Sequence, residues 1–138
     1  MKVRWINQND YEQFLRWWKW FRFPAPSIEF LPENGLGGLV VSKDDMDICA
    51  GFLYLTNSKI AWIEYIVSNP DYRSKDRTDA LKILIQELVL IGIERGYECF
   101  YTTVKNLNLI NHFKDVGFLE GTSGSTEMIY IKKAAEKS

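Results

Sequence analysis

From residue 60 to residue 104 the chain runs strand, long apolar helix, strand, an order that few architectures accept. Residues 60–68 (IAWIEYIVS) are dense in β-branched and aromatic side chains and stop at Asn69-Pro70-Asp71. From Asp76 onward Ala80, Leu81, Leu84, Leu88 and Ile91 recur at helical spacing, and Ile83, Ile85, Val89 and Leu90 widen the stripe. Gly96 stands where such a helix needs a left-handed terminating residue, and residues 98–104 read as the next strand. A helical connection of this length makes the two strands parallel and the crossover right-handed.

The remaining segments fit around that unit. Residues 2–6 read as a short strand, and Asn9 or Asp10 can cap a helix that runs to about Phe21 and is stopped by Pro24 and Pro26. Tyr11, Phe14, Leu15, Trp18 and Phe21 share one face of it, which leaves Trp17 and Trp20 pointing elsewhere. Residues 27–38, which include Pro32, Asn34, Gly35, Gly37 and Gly38, resist regular structure. Residues 39–42 and 48–56 form an antiparallel hairpin through Lys43-Asp44-Asp45. A shorter helix over 106–116 closes at Gly117-Phe118, and after a turn at 121–124 residues 126–132 read as a last strand.

A chain of 138 residues that is 46% hydrophobic supports one core, so we expect one domain over 1–133 and a polar tail over 134–138. The longest plainly apolar stretch, residues 88–93, is far short of the roughly 20 residues that cross a bilayer, and no signal peptide is visible. Cys49 and Cys99 lie in strand-like segments without a CxxC pair or a Cys/His cluster, which predicts two buried reduced thiols; a cytoplasmic location follows by default. Seventeen Lys and Arg against eighteen Asp and Glu give a net charge of −1, which argues against nucleic acid as a partner.

The element order resembles the GCN5-related N-acetyltransferases. The likeness is carried by Ile63-Glu64-Tyr65-Ile66-Val67-Ser68-Asn69-Pro70-Asp71-Tyr72-Arg73, similar to that family's central strand and acyl-CoA loop, and by Asn106 and Gly117-Phe118. The resemblance implies an α/β (α+β) single domain: a mixed sheet, mostly antiparallel, with a central parallel strand pair and flanking helices. It also implies acetyl-CoA as cofactor, with Ile66, Val67 and Ser68 along its pantetheine arm and Arg73, Ser74, Lys75, Asp76, Arg77 and Thr78 around its phosphates. The acceptor would be a primary amine on a small molecule or protein. Glu64 would take the amine's proton through a water; the plainer reading is a surface or paired glutamate. Asn106 would bond the pantetheine arm or cap the helix that follows it. Strand alternation places Glu64 with Ile66 and Ser68, opposite Ile63, Tyr65 and Val67.

Two departures stand out. The family loop Arg/Gln-x-x-Gly-x-Gly/Ala is here Arg73-Ser74-Lys75-Asp76-Arg77-Thr78, with a carboxylate and a threonine in the glycine positions. A carboxylate there repels phosphate, or, as a helix N-cap, accepts the amide bonds that a phosphate would take. The tyrosine that protonates the departing thiolate in many relatives is replaced by Phe113, next to His112, the sole histidine. These departures support a second expectation, a non-catalytic module that binds a protein partner, or makes a dimer contact, through Trp17 and Trp20. A small phage or mobile-element protein that binds or modifies a host factor is a third.

Overall fold

The computed structural model describes residues 1–132, so the expected tail at 134–138 lies outside the described residues. Five strands form one sheet in sequence order: β1 (Lys2–Trp5), β2 (Gly38–Lys43), β3 (Met46–Leu55), β4 (Ile60–Ser68) and β5 (Cys99–Tyr101). The first four pair antiparallel and β4 pairs with β5 in parallel. Three helices flank it: α1 (Asp10–Trp20), α2 (Arg77–Glu94) and α3 (Leu107–Asp115). Residues 27–38 hold two short 3-10 turns, Ile28–Phe30 and Pro32–Gly35, instead of a wholly irregular connection. Asp44 and Asp45, at φ 52° and 63°, make the tight turn between β2 and β3.

Each face of the sheet buries its own core. On one face α2 and α3 set Ala80, Leu84, Ile85, Leu88 and Phe113 against Leu39, Val41, Cys49, Leu53, Ala61 and Ile63. On the other, α1 sets Phe14, Trp17 and Trp18 against Ile6, Val40, Ala50, Phe52 and Val67. Burying an aromatic side chain of this kind contributes about 2–3 kcal/mol, so this second core rests largely on α1 and Phe52. Gly92 on α2 lies so close to the Phe100 ring that a Cβ there would strike it. Glycine at that point lets the crossover helix sit down on β5.

Several sequence expectations are corrected. Trp17 is only 6% exposed, because α1 turns the face of Asp10, Phe14, Trp17 and Trp18 inward, while Phe21, expected in the core, lies beyond the last turn and is exposed. Asn9 makes no side-chain cap; Asp10 is instead held by Arg4 (2.7 and 2.9 Å) and by the Asn7 N–H (2.8 Å). Burial would raise the Asp10 carboxyl, but the Arg4 guanidinium and the Asn7 amide outweigh it and hold it below its ordinary value. Cys99 is exposed, since no helix covers its face of β5; Cys49 is buried, and burial pushes its thiol up. Residues 126–132 form no strand; they are irregular and exposed.

Candidate active site

The site begins where β4 leaves its parallel neighbour. The two strands pair only at Ile60↔Cys99, Ala61↔Phe100 and Trp62↔Tyr101, after which β4 continues to Ser68 with no strand on that edge. On its other edge the ladder slips between Ala50↔Val67 and Phe52↔Glu64, so that three steps of β4 face two of β3. Tyr65 absorbs the extra residue at φ 57°, a left-handed conformation that costs a non-glycine residue about 1–2 kcal/mol. Gly51 lies opposite, where a Cβ would come within 3.1 Å of the Ile66 side chain. This is a β-bulge, which bends the strand and re-aims the side chains beyond it.

The bulge overturns the simple alternation. Glu64 is the cross-strand partner of Phe52 and shares its face with α1, together with Tyr65 and Val67; Ile63 and Ile66 pack on the α2 face. Glu64 therefore does not sit with Ile66 and Ser68. Val67 is buried, so only its main chain can meet a ligand.

Glu64 reaches across the divergence. Its Oε1 accepts a hydrogen bond of 2.9 Å from the main-chain N–H of Thr103, two residues past the end of β5, standing in for the ladder bond that the separating strands no longer make. Burial raises its carboxyl, the Thr103 amide partly opposes this, and the nearby Glu127 carboxylate adds to the rise, leaving it at about 7. Such a group is half ionised at neutral pH and suited to taking a proton.

The loop after β4 is pinned by Asn69, which donates from Nδ2 to the Asp47 carbonyl (2.8 Å) and accepts from the Asp71 N–H (2.9 Å). Asp76 occupies the N-cap position of α2 yet makes no side-chain cap, contrary to one sequence expectation. Its carboxylate turns to Lys43 Nζ at the end of β2 (2.6 Å) and to the Tyr72 hydroxyl (2.6 Å). The Lys43 bond first, and the Tyr72 bond next, hold it down to about 2. With Asp76 neutralised by Lys43, the exposed cations Arg73, Lys75 and Arg77 face only Asp71 and Asp79, and the loop carries a positive surplus. Ser74 closes the turn into α2 through its carbonyl, which accepts from the Arg77 N–H (3.2 Å), and Thr78 is half-buried in the first helical turn.

The other expected groups fall out as follows. Asn106 caps α3, its Oδ1 accepting from the Leu109 N–H at 3.1 Å. Phe113 is 3% exposed and packs edge-on against Phe118 at 4.9 Å. His112 is held below its ordinary value by burial first and then by Lys82 and Arg77, which favours the neutral ring. Among the described residues no His, Cys, Asp and Glu cluster could hold a metal ion, and no helix is long and apolar enough to cross a membrane. Lys43 and Thr103 escaped the sequence reading because they lie 33 and 39 residues from their partners. The isolated Gly51 in a strand was the one local sign of the bulge.

No family model matches the chain, and neither does any curated protein sequence. Among solved structures it is similar to TTHA1254 from Thermus thermophilus, with 14% identity and a TM-score of 0.71 over 96% of this chain and 100% of that one. It is similar also to aminoglycoside antibiotic 6'-N-acetyltransferase AAC(6')-IG from Acinetobacter haemolyticus, with 16% identity and a TM-score of 0.57 over 99% and 100%. N-acetylglutamate synthase from Neisseria gonorrhoeae, solved with coenzyme A and N-acetyl-glutamate, is 12% identical with a TM-score of 0.70, over 88% of this chain and 28% of the synthase. The neighbours thus include an aminoglycoside N-acetyltransferase and a synthase solved with coenzyme A. The chain has the fold of the GCN5-related N-acetyltransferases, with the parallel strand pair that the sequence resemblance implied.

Proposed function

We propose that this protein is an acetyl-CoA-dependent N-acetyltransferase acting on a primary amine of a small molecule or protein. The observation that carries the reading is Glu64, a carboxylate of pKa about 7 set beside a β-bulge where the two parallel strands part. The fit of acetyl-CoA rests on two features. The edge of β4 over Ile66, Val67 and Ser68 has no strand partner and can pair with an amide-bearing arm. The carboxylate that stands in a glycine position of the loop is turned away and paired with Lys43. The coenzyme A seen with the similar Neisseria gonorrhoeae synthase supports the same choice.

When bound, the cofactor supplies an activated acyl thioester. Glu64 takes the proton of the attacking amine, directly or through a water, and main-chain groups freed by the bulge hold the polarised carbonyl. Arg73, Lys75 and Arg77 receive the phosphates by side chain, with Ser74 and Thr78 lining the turn. Asn106 acts as a helix cap. With Phe113 in the core, solvent protonates the departing thiolate; a thiolate is a stable leaving group, as the cysteine reference pKa of about 8.5 illustrates, so a dedicated acid is dispensable.

The test is amine-dependent release of CoA across a panel of amines. Glu64→Gln is expected to lower kcat by about a hundredfold while the KM for acetyl-CoA changes little. Full activity in that variant removes Glu64 from the mechanism. The second reading, a non-catalytic partner-binding module, keeps the exposed Trp20 but loses Trp17. Calorimetry with acetyl-CoA separates the two, since the module needs no cofactor.

A further inference from the structure

Glu64 shares its face of the sheet with Trp62, two residues earlier on β4, because Tyr54↔Trp62 and Phe52↔Glu64 pair with β3 in one unbroken register ahead of the bulge. Trp62 is 37% exposed, and Tyr101, its partner on the parallel strand, is 48% exposed; neither belongs to the core that α1 covers. The two rings stack at 5.0 Å and 25°. Tyr54 lies 6.3 Å from Tyr65, ring to ring, so aromatic side chains flank Glu64 from the bulge to the edge of the sheet.

We propose that the acceptor is a linear aliphatic diamine or polyamine, whose reacting amine meets Glu64 and whose second ammonium lies over the Trp62 and Tyr101 rings. The proposal rests on the acyltransferase reading and narrows its acceptor from any primary amine to a dication. Exposed aromatic rings attract an ammonium through their negative faces and pack against the methylenes that join its two ends. The surrounding charge has the sign a dication needs. Glu64 makes no salt bridge among the described residues. The charged groups close enough to act on Glu64 and Tyr65 are carboxylates, Glu127 on both and Glu64 on Tyr65.

Spacing sets the length of the acceptor. Trp62 and Glu64 stand roughly 7 Å apart along the strand at about 3.3 Å per residue, about the span of four to five methylenes. A monoamine of that length fills the Glu64 end and leaves the aromatic pair with an apolar tail. An acceptor with a carboxylate at its far end meets the like charge of Glu127. The cations Lys19 and Arg22 line a different groove, with Leu15, Phe23, Pro24 and Ala25, which neither Trp62 nor Tyr101 borders.

The experiment measures acetyl-CoA-dependent release of CoA by the full chain with three terminal amines that differ only at the far end: diaminopentane, pentylamine and aminohexanoic acid. We expect kcat/KM for diaminopentane to exceed that for pentylamine by about tenfold, and that for aminohexanoic acid by more. In Trp62→Leu the ratio of diamine to monoamine should fall to near one, chiefly through the KM for the diamine, and Trp62→Phe should keep part of the preference. A merely structural role for Trp62 would lower the turnover of both amines alike. Pentylamine or aminohexanoic acid used as well as the diamine by the native protein would overturn the diamine assignment and leave the acyltransferase reading standing, as would an unchanged ratio in Trp62→Leu. No release of CoA with any amine would refute both. The native comparison needs no variant, so it decides the matter even where circular dichroism shows that Trp62→Leu fails to fold.

Discussion

Replacing Glu64 by glutamine should alter how stability depends on pH, whatever it does to catalysis. The carboxyl rises from an ordinary value of 4.5 to about 7 on folding, chiefly because burial disfavours its charge. At about 1.4 kcal/mol per tenfold change, ionised Glu64 makes the folded state at most about 3 kcal/mol less stable than protonated Glu64 does, an upper bound because water screens a half-buried group. The folded state holds this proton more tightly than the unfolded chain. Stability from this group is therefore complete below pH 4.5 and falls as pH rises toward 7. Glutamine keeps an oxygen to accept the Thr103 N–H and carries no charge. The two proteins should thus melt together near pH 4.5 and diverge above it, until Glu64→Gln is the more stable by up to about 10 °C at pH 8. Thermal melts by circular dichroism at half-unit steps provide the comparison. Melting temperatures that run parallel from pH 4.5 to 8 would show an ordinary solvated carboxylate and refute the argument.

Other perturbations follow from the same geometry. In the amine-dependent assay of the native protein, kcat/KM should climb with pH, reach half its plateau near 7 and level off about one unit higher as Glu64 ionises; a flat profile from pH 5 to 8 would exclude it as the base. Trp17→Ala should cost about 3–4 kcal/mol in chemical denaturation, as a core truncation, whereas Trp20→Ala should cost under about 1 kcal/mol; equal losses would contradict the burial of one and exposure of the other. Gly92→Ala should destabilise by about 1–3 kcal/mol, because its methyl group meets the Phe100 ring, and Phe100→Leu should recover part of that loss. Lys43→Ala should weaken acetyl-CoA binding by calorimetry, since it frees the Asp76 charge at the phosphate loop, and Asp76→Asn in that background should restore it; native affinity in Lys43→Ala would show that the pair is irrelevant to the cofactor.

Local pattern was enough to read most of the elements. The apolar stripe from Ala80 to Ile91, ended by Gly96 at φ 92°, announced the crossover helix, and the doublet Asp44-Asp45 announced the hairpin turn. Both signals depend on residues within a turn of one another, so they can be read without knowing any distant contact. Residues 126–132 show the opposite case: a strand-like pattern stays irregular where it makes no ladder with a neighbouring strand.

The site was legible as a set of residues but not as an arrangement. Glu64, Asp76 and the loop cations could be picked out along the chain, whereas their electrostatic states could not, because each is set by a partner brought in from elsewhere. Lys43 comes from β2 to neutralise Asp76, and the Thr103 amide comes from beyond β5 to hold Glu64. One extra residue at Tyr65 moved Ile66 and Ser68 off the face they would share with Glu64 by alternation, since the two-residue period of a strand converts any single insertion into a change of side. Sequence by itself determined most of the segments that become helix and strand, and what chemistry they carry. Only the tertiary structure decided which charges are cancelled, which tryptophan faces solvent and where the strands part, because those outcomes depend on contacts between residues tens of positions apart.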